Sequence, residues 1–209
     1  WGISPPQHRE IDRVRDDPYA LVEYLRREKI VYGLAHPTFP VDGKLSPLHL
    51  EKLVLLFDVF EGINGRRHPS RNATWAAFLA QLDREQIRKL ALRHPLAPSS
   101  HEPWVKAVTG GSDDHAGAFI GRTWTTFEGH HAVDLFDSLR DRRTGACGTH
   151  GDFTRVAFGA LKVAHAFAAA DRGPYLKSPI GQAAHYYFTN QKLSWAGKFK
   201  IGKWRDKLG

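Results

Sequence analysis

Between residues 18 and 127 the sequence alternates helical and extended patterns, and this alternation constrains the fold more than any other feature. DDPYALVEYLRREK reads as a helix. Asp17 caps it, Pro18 suits the first turn, and Ala20, Leu21, Tyr24 and Leu25 form one apolar stripe. KIVYGLAH follows as a buried strand ending at His36, and PTFPVDGKL as a loop. Ser46 and Pro47 open the helix PLHLEKLVLLF, and DVFEGING is the next strand. Helices are expected over 72–82 and 84–94, the second with Asp83 and Gln86 at capping-box spacing. WVKAVTGG and RTWTTF are two further strands. Such an order implies parallel strands joined by crossover helices. Beyond residue 130 the pattern becomes helical. HHAVDLFDSLRDRR and DFTRVAFGALKVAHAFAAADR are two helices with a Gly-rich turn at 145–151 between them. The expected division is an α/β portion over 1–128 and a helical extension over 129–209, ending in the basic, aromatic stretch KLSWAGKFKIGKW.

Charge narrows the partners. The 209 residues carry a formal charge of +8, with a pI near 9.7. This favours anionic partners, such as phosphate esters, nucleic acid or an acidic surface, or else an Arg-rich solvated exterior. The tail 192–209 admits the same two readings, an anionic contact surface or a solvated end. A single cysteine, Cys147, excludes an internal disulfide framework. No run approaches the roughly 20 apolar residues of a membrane helix, and the first residues lack a basic-then-apolar leader. The expected location is the cytoplasm. The chain opens at Trp1 and contains no Met, so it is expected to be a piece of a longer protein.

Three strand ends carry the polar residues: His36 in GLAHP, Glu61 with Asn64 in FEGINGR, and Asp113, Asp114 and His115 in GGSDDH. The carboxyl ends of parallel strands open on one face, so residues distant in sequence can converge there. Imidazole and carboxylate are the usual protein ligands of Zn, Mn and Fe. Asp113 and His115, two positions apart, are expected to point the same way, and Asp114 elsewhere as an outward or supporting group. Gly110 and Gly111 allow close backbone approach, and Ser112 can brace a ligand carboxylate. Each fragment alone also has a plain reading: HP as a loop, GGSDD as a turn or helix cap, a strand Glu as an edge group. Arg66, Arg67 and Arg122 are candidates to steady an anionic substrate, or are surface arginines.

At GLAHP and GGSDDH the sequence resembles the PHP family, the polymerase and histidinol phosphatase domain. LAHPTFPVDGKLSPLHLEKLVLLFDVFEGINGRR, EPWVKAVTGGSDDHAG and GRTWT extend the likeness to PHP domains fused to or associated with bacterial glycosyltransferases. The resemblance covers residues 1–128, and more loosely the helices to about 172. It implies the carboxyl-terminal portion of a distorted (β/α)7 TIM-like barrel with a helical extension. It also implies divalent metal ions (Zn, Mn or Fe), two or three in a complete domain, and hydrolysis of a phosphorylated small molecule. His36, Asp113 and His115 match metal ligands of the family. Glu61 and Asn64 match a strand lining the site, and with Arg66 and Arg122 are the candidates for substrate contact. His8, His68, His94, His101, His130, His131 and His150 match no ligand position, and residues 130–172, His165 included, are expected to supply none. The family's earlier His-x-His and acidic ligands have no counterpart in this sequence. Two rivals remain beside the enzyme: a non-catalytic regulatory or packing module for a glycosyltransferase, and an anionic-surface binder acting through the tail.

Overall fold

The structure, a computed structural model, describes residues 3–39, 43–170 and 174–189. It divides into two compact units, Trp1–Ser112 with Gly121–His150, and Asp113–Ile120 with Gly151–Gly209. The tail 192–209, expected as an anionic contact surface, lies outside the described residues. Among the described residues no helix is long and apolar enough to cross a membrane.

The first unit is mixed α/β. Its helices begin where the sequence supplies caps. α1 (Pro5–Val14) opens on a capping box of Ser4 and Gln7, and α2 (Pro18–Arg27) on the Asp17 carboxylate, which accepts from the Tyr19 and Ala20 amides. α3 (Pro47–Leu56) starts at Ser46, whose hydroxyl accepts from His49. α4 (Pro69–Ala80) follows His68, and α5 (Arg84–Arg93) follows the expected Asp83–Gln86 capping box. Pro at the first turn of α1 to α4 leaves an amide missing where no intrahelical partner exists.

β1 (Val59–Asn64) and β2 (Ala107–Gly111) pair in parallel across α4 and α5, as the alternation requires. Leu34 makes a single parallel bridge to Phe60, with α3 as its crossover. KIVYGLAH, expected as a strand, is therefore one bridge only. Gly33 lacks a side chain to pack on a pleated surface, and His36 leaves the extended region with φ of 34°. The β1–β2 register shifts between Glu61 and Ile63, leaving Gly62 as a bulge. The apolar core is built where these elements meet: Val54 and Leu55 of α3, Phe60 of β1, Trp75 and Leu79 of α4, Ile87 of α5. Phe60 is fully buried and meets Trp75 edge to face, with ring centroids 5.5 Å apart.

A second sheet pairs β3 (Thr123–Thr126) with β4 (Gly145–Gly148), antiparallel, and α6 (Ala132–Arg140) lies between them in sequence. The Gly-rich stretch at 145–151, expected as a turn, thus contributes a strand. The Thr/Trp strand β3 needs an edge partner more than glycines resist extension. Threonines tie this sheet to β2. The Thr125 hydroxyl accepts from the Gly110 amide at 3.0 Å, and the Thr144 hydroxyl donates to the Val108 carbonyl at 2.8 Å.

The second unit contains α7 (Phe153–Ala170), a short 3-10 turn (Pro174–Lys177) and α8 (Pro179–Thr189). Phe158 organises it, meeting Phe119 at 5.9 Å and Phe188 at 5.4 Å between ring centroids. Phe119 thereby holds the loop 113–120 onto α7.

Candidate functional site

On β1 one carboxylate, Glu61, joins the His36 backbone to the Asn64 side chain. Glu61 Oε2 accepts the His36 amide at 2.7 Å and the Asn64 side-chain amide at 2.9 Å. Its Oε1 would lie 2.5 Å from a Cβ placed on Gly111, so a side chain there would displace the carboxylate. At Gly110 the obstacle is the Trp124 carbonyl of β3. Both glycines therefore permit close approach, in agreement with the expectation from their spacing. Pairing continues past β2, where the Gly65 amide donates to the Gly111 carbonyl at 2.8 Å.

Asn64 is 3% exposed. Its side-chain nitrogen donates to Glu61, and its side-chain oxygen accepts from the Arg66 amide at 2.9 Å. Its backbone is claimed by Asn72 of α4: Oδ1 accepts from the Asn64 amide at 3.2 Å, and Nδ2 donates to its carbonyl at 3.0 Å. These two bonds fix the Asn72 amide orientation. Asn72 Nδ2 also lies 2.8 Å from His150 Nδ1. An amide nitrogen only donates, so Nδ1 accepts and the neutral ring carries its proton on Nε2. His150 is the residue that sequence reasoning passed over. The pair is separated by 78 positions, and no motif links a mid-helix Asn to a His after a Gly-rich strand.

His36 itself sits in the left-handed region with φ of 34°. Asp113 does so too, at 49°. These are two of the four described non-glycine residues with positive φ, a conformation that costs an L-residue about 1 kcal/mol or more. Asp113 lies beyond the end of β2, so strand alternation does not aim its side chain. The turn does so instead: His115 Nε2 and Asp113 Oδ1 are 3.3 Å apart. The Asp113 side chain is 18% exposed and that of His115 66%. Asp114 points elsewhere, into its own loop. Its carboxylate accepts the Ala116 amide at 3.0 Å and the Phe119 amide at 2.6 Å. Burial pushes this carboxyl up, but the Phe119, Ala116 and Ala118 amides, aided by Lys162, outweigh it and hold it below the ordinary value.

His36 belongs to the first unit, and Asp113 and His115 to the second. Among the described residues no group of three or more His, Cys, Asp or Glu side chains is gathered as a metal cluster. The Asp113–His115 pair offers one carboxylate oxygen and one imidazole nitrogen, a donor set that suits Zn, Mn or Fe as part of a larger ligand group. Of the arginines, Arg66 follows β1 and Arg122 precedes β3, while the Arg67 guanidinium lies 3.6 Å from the centre of the Phe39 ring. The competing histidines have local settings. The His130 and His131 amides donate to Asp134, and the His165 ring lies 5.5 Å from that of His185.

No curated protein and no solved structure matches the chain. A family model described as PHP-associated (PHP_C) matches residues 102–144, the segment that runs from the loop before β2 through Asp113, His115, Arg122 and α6 to the residue before β4. That match relates the chain to a PHP-related family through the stretch that carries the aspartate–histidine pair.

Proposed function

We propose that this chain is the carboxyl-terminal part of a metal-dependent phosphoesterase of the PHP type, built on a (β/α)7-like barrel. The observation that supports it most is the Asp113–His115 pair, whose side chains meet at 3.3 Å inside the PHP-associated segment. Asp113 and His115 would hold a divalent ion, and His36, on its LAHP setting, is a separate ligand candidate in the first unit. When bound, a Zn, Mn or Fe ion supplies Lewis-acid chemistry and a more acidic water for attack on a phosphate ester. The chain's own residues do the positioning. Asp114 locks the ligand loop through the Ala116 and Phe119 amides. Glu61 and Asn64 fix the His36 backbone to β1. Arg66 and Arg122 steady the anionic part of a phosphorylated small molecule. Three donors do not complete a site of two or three metals, so this reading requires ligands beyond these 209 residues. The chain alone then binds metal weakly and releases little phosphate.

The test uses the protein with its full ligand set, supplied with Mn or Zn and assayed for phosphate release from simple esters. His115→Ala and Asp113→Asn should each reduce release about 100-fold or more, beyond the usual cost of losing a group that merely braces a ligand. Rates unchanged by both substitutions would remove the assignment. Bound metal without any release would favour the rival reading, a regulatory module for a fused or associated glycosyltransferase. The engagement of Asn64, 3% exposed with its side-chain amide spent on Glu61 and on the Arg66 amide, favours that rival, since it presents little to a substrate.

A further inference from the structure

The opposite end of the β1–β2 sheet carries a cleft of about 460 Å³ that none of the chemistry above uses. Arg26, Lys29, Arg140, Arg142, Asp58 and Ser100 line it, against an apolar wall that includes Ile30, Val31 and Leu139. All lie in the first unit. The volume falls within the range of small-molecule sites.

Positive charge exceeds negative here. Asp58 is shared by Lys106 at 3.3 Å and Arg142 at 3.5 Å, and it accepts the Ser99 hydroxyl. Arg26 spends its guanidinium on neutral groups, the Tyr32 hydroxyl and the Leu55, Leu56 and Ala97 carbonyls. Arg140 pairs with Asp137 at 2.8 Å. Glu102 reaches Arg142 only at 4.0 Å and is half exposed. Burial, opposed by Asp58 but reinforced by Arg142 and Arg26, lowers the Lys106 amine to about 8. Ser100 Oγ is shielded from solvent and has no hydrogen-bond partner among the described residues.

Two helix ends add an independent observation. α2 and α6 both finish in Schellman turns. The Lys29 and Ile30 amides donate to the Arg26 and Leu25 carbonyls, and the Arg142 and Arg143 amides to the Leu139 and Ser138 carbonyls. The left-handed residue of such a turn is usually glycine. Here it is Lys29, with φ of 54°, and Arg142, with φ of 59°. Two separate helices accept the strained conformation and place a long cation at the same cleft.

From these placements we infer that the cleft at the amino end of β1 is a binding site for a phosphate monoester with an apolar or aromatic body, distinct from the Asp113–His115 pair. Lys29, Arg142 and the Ser100 hydroxyl take the phosphoryl oxygens, and the Ile30–Val31–Leu139 wall takes the body. The site does not depend on the phosphoesterase reading.

The test is calorimetric titration of the protein with phenyl phosphate, inorganic phosphate and phenol, in excess chelator so that no metal-held phosphate contributes. Phenyl phosphate should bind one per chain and more tightly than the other two, weakening as salt rises. Lys29→Gly should reduce its affinity about tenfold, the worth of one charge-assisted hydrogen bond. The same substitution should raise the melting temperature by about 2 °C, because glycine relieves the left-handed turn. Ser100→Ala should weaken binding without altering the melt, and His115→Ala should leave binding intact. Affinity unchanged in both Lys29→Gly and Ser100→Ala, loss of binding in His115→Ala, or no phenyl phosphate bound by the parent protein would each overturn the inference.

Discussion

The two ends of the β1–β2 sheet are built from opposite charges. At the carboxyl end one carboxylate, Glu61, gathers amides and uses them to fix the His36 backbone. At the amino end one carboxylate, Asp58, is outnumbered by Lys106, Arg142 and Arg26. Strain divides evenly. His36 and Asp113 follow the carboxyl ends of extended segments, while Lys29 and Arg142 close helices beside the amino end. One short sheet thus separates two electrostatic settings. At one end a carboxylate holds backbone and side-chain amides, and at the other side-chain cations exceed carboxylates.

Removing the scarce charge should do the most damage. Asp58→Ala leaves the Lys106 amine, 1% exposed, with two carbonyls and no counter-ion. Breaking a buried ion pair on one side costs about 3–5 kcal/mol, which urea unfolding would read. A loss below 1 kcal/mol would mean that the amino end is electrostatically relaxed and that the comparison fails. The pH dependence follows next. The folded Lys106 amine titrates near 8, against 10.5 when unfolded. Between those values the unfolded chain holds more protons, so stability rises with pH across that window. Read downward, the same window removes roughly 3 kcal/mol in all for a shift of this size, and below 8 both states hold the proton and the Lys106 contribution stays flat. Lys106→Met should flatten the profile. At the carboxyl end, Glu61→Ala strips the shared acceptor Oε2 from both the His36 and Asn64 amides. It should cost about 2 kcal/mol, less than Asp58→Ala, with no change in the pH profile near 8.

Legibility in sequence followed locality. The caps at Asp17, Ser46 and Asp83 were readable because a cap is a contact across two or three residues. The parallel β1–β2 pair was readable from alternation alone. The strand expected at KIVYGLAH shrank to one bridge, because a glycine and a left-handed histidine outweigh four apolar residues. β4 was missed because GACG has no strand propensity and acquires its conformation from β3. At the candidate site, Asp113 and His115 were readable as neighbours, although a turn rather than strand alternation brings them together. The Asn72–His150 contact and the cationic cleft were not. Both join residues from distant elements, and nothing in the local pattern of either partner encodes the other.

The smallest expected effect sharpens the account of the ligand loop. Asp114 is the local counterpart of Glu61: a carboxylate that accepts backbone amides, at Ala116 and Phe119, and so shapes a neighbour's setting. It differs in reach, because the Ala116 and Phe119 amides it accepts lie within five residues and Phe119 already anchors the loop on Phe158. Asp114→Ala should therefore cost only about 1 kcal/mol, near the low end for charge-assisted bonds in a partly exposed setting. Its contribution has a definite pH signature. The folded carboxyl lies below its ordinary value of 3.8, so the stabilisation is fully present above that value and disappears as pH falls through the lowered one. Amide hydrogen exchange at Ala116 and Phe119 would report it directly. Both amides should exchange faster in Asp114→Ala, while the His36 amide, held by Glu61, keeps its protection. Equal exchange in parent and variant would show that Phe119 packing alone holds the loop, and Asp114 would then lose its positioning role beside Asp113 and His115.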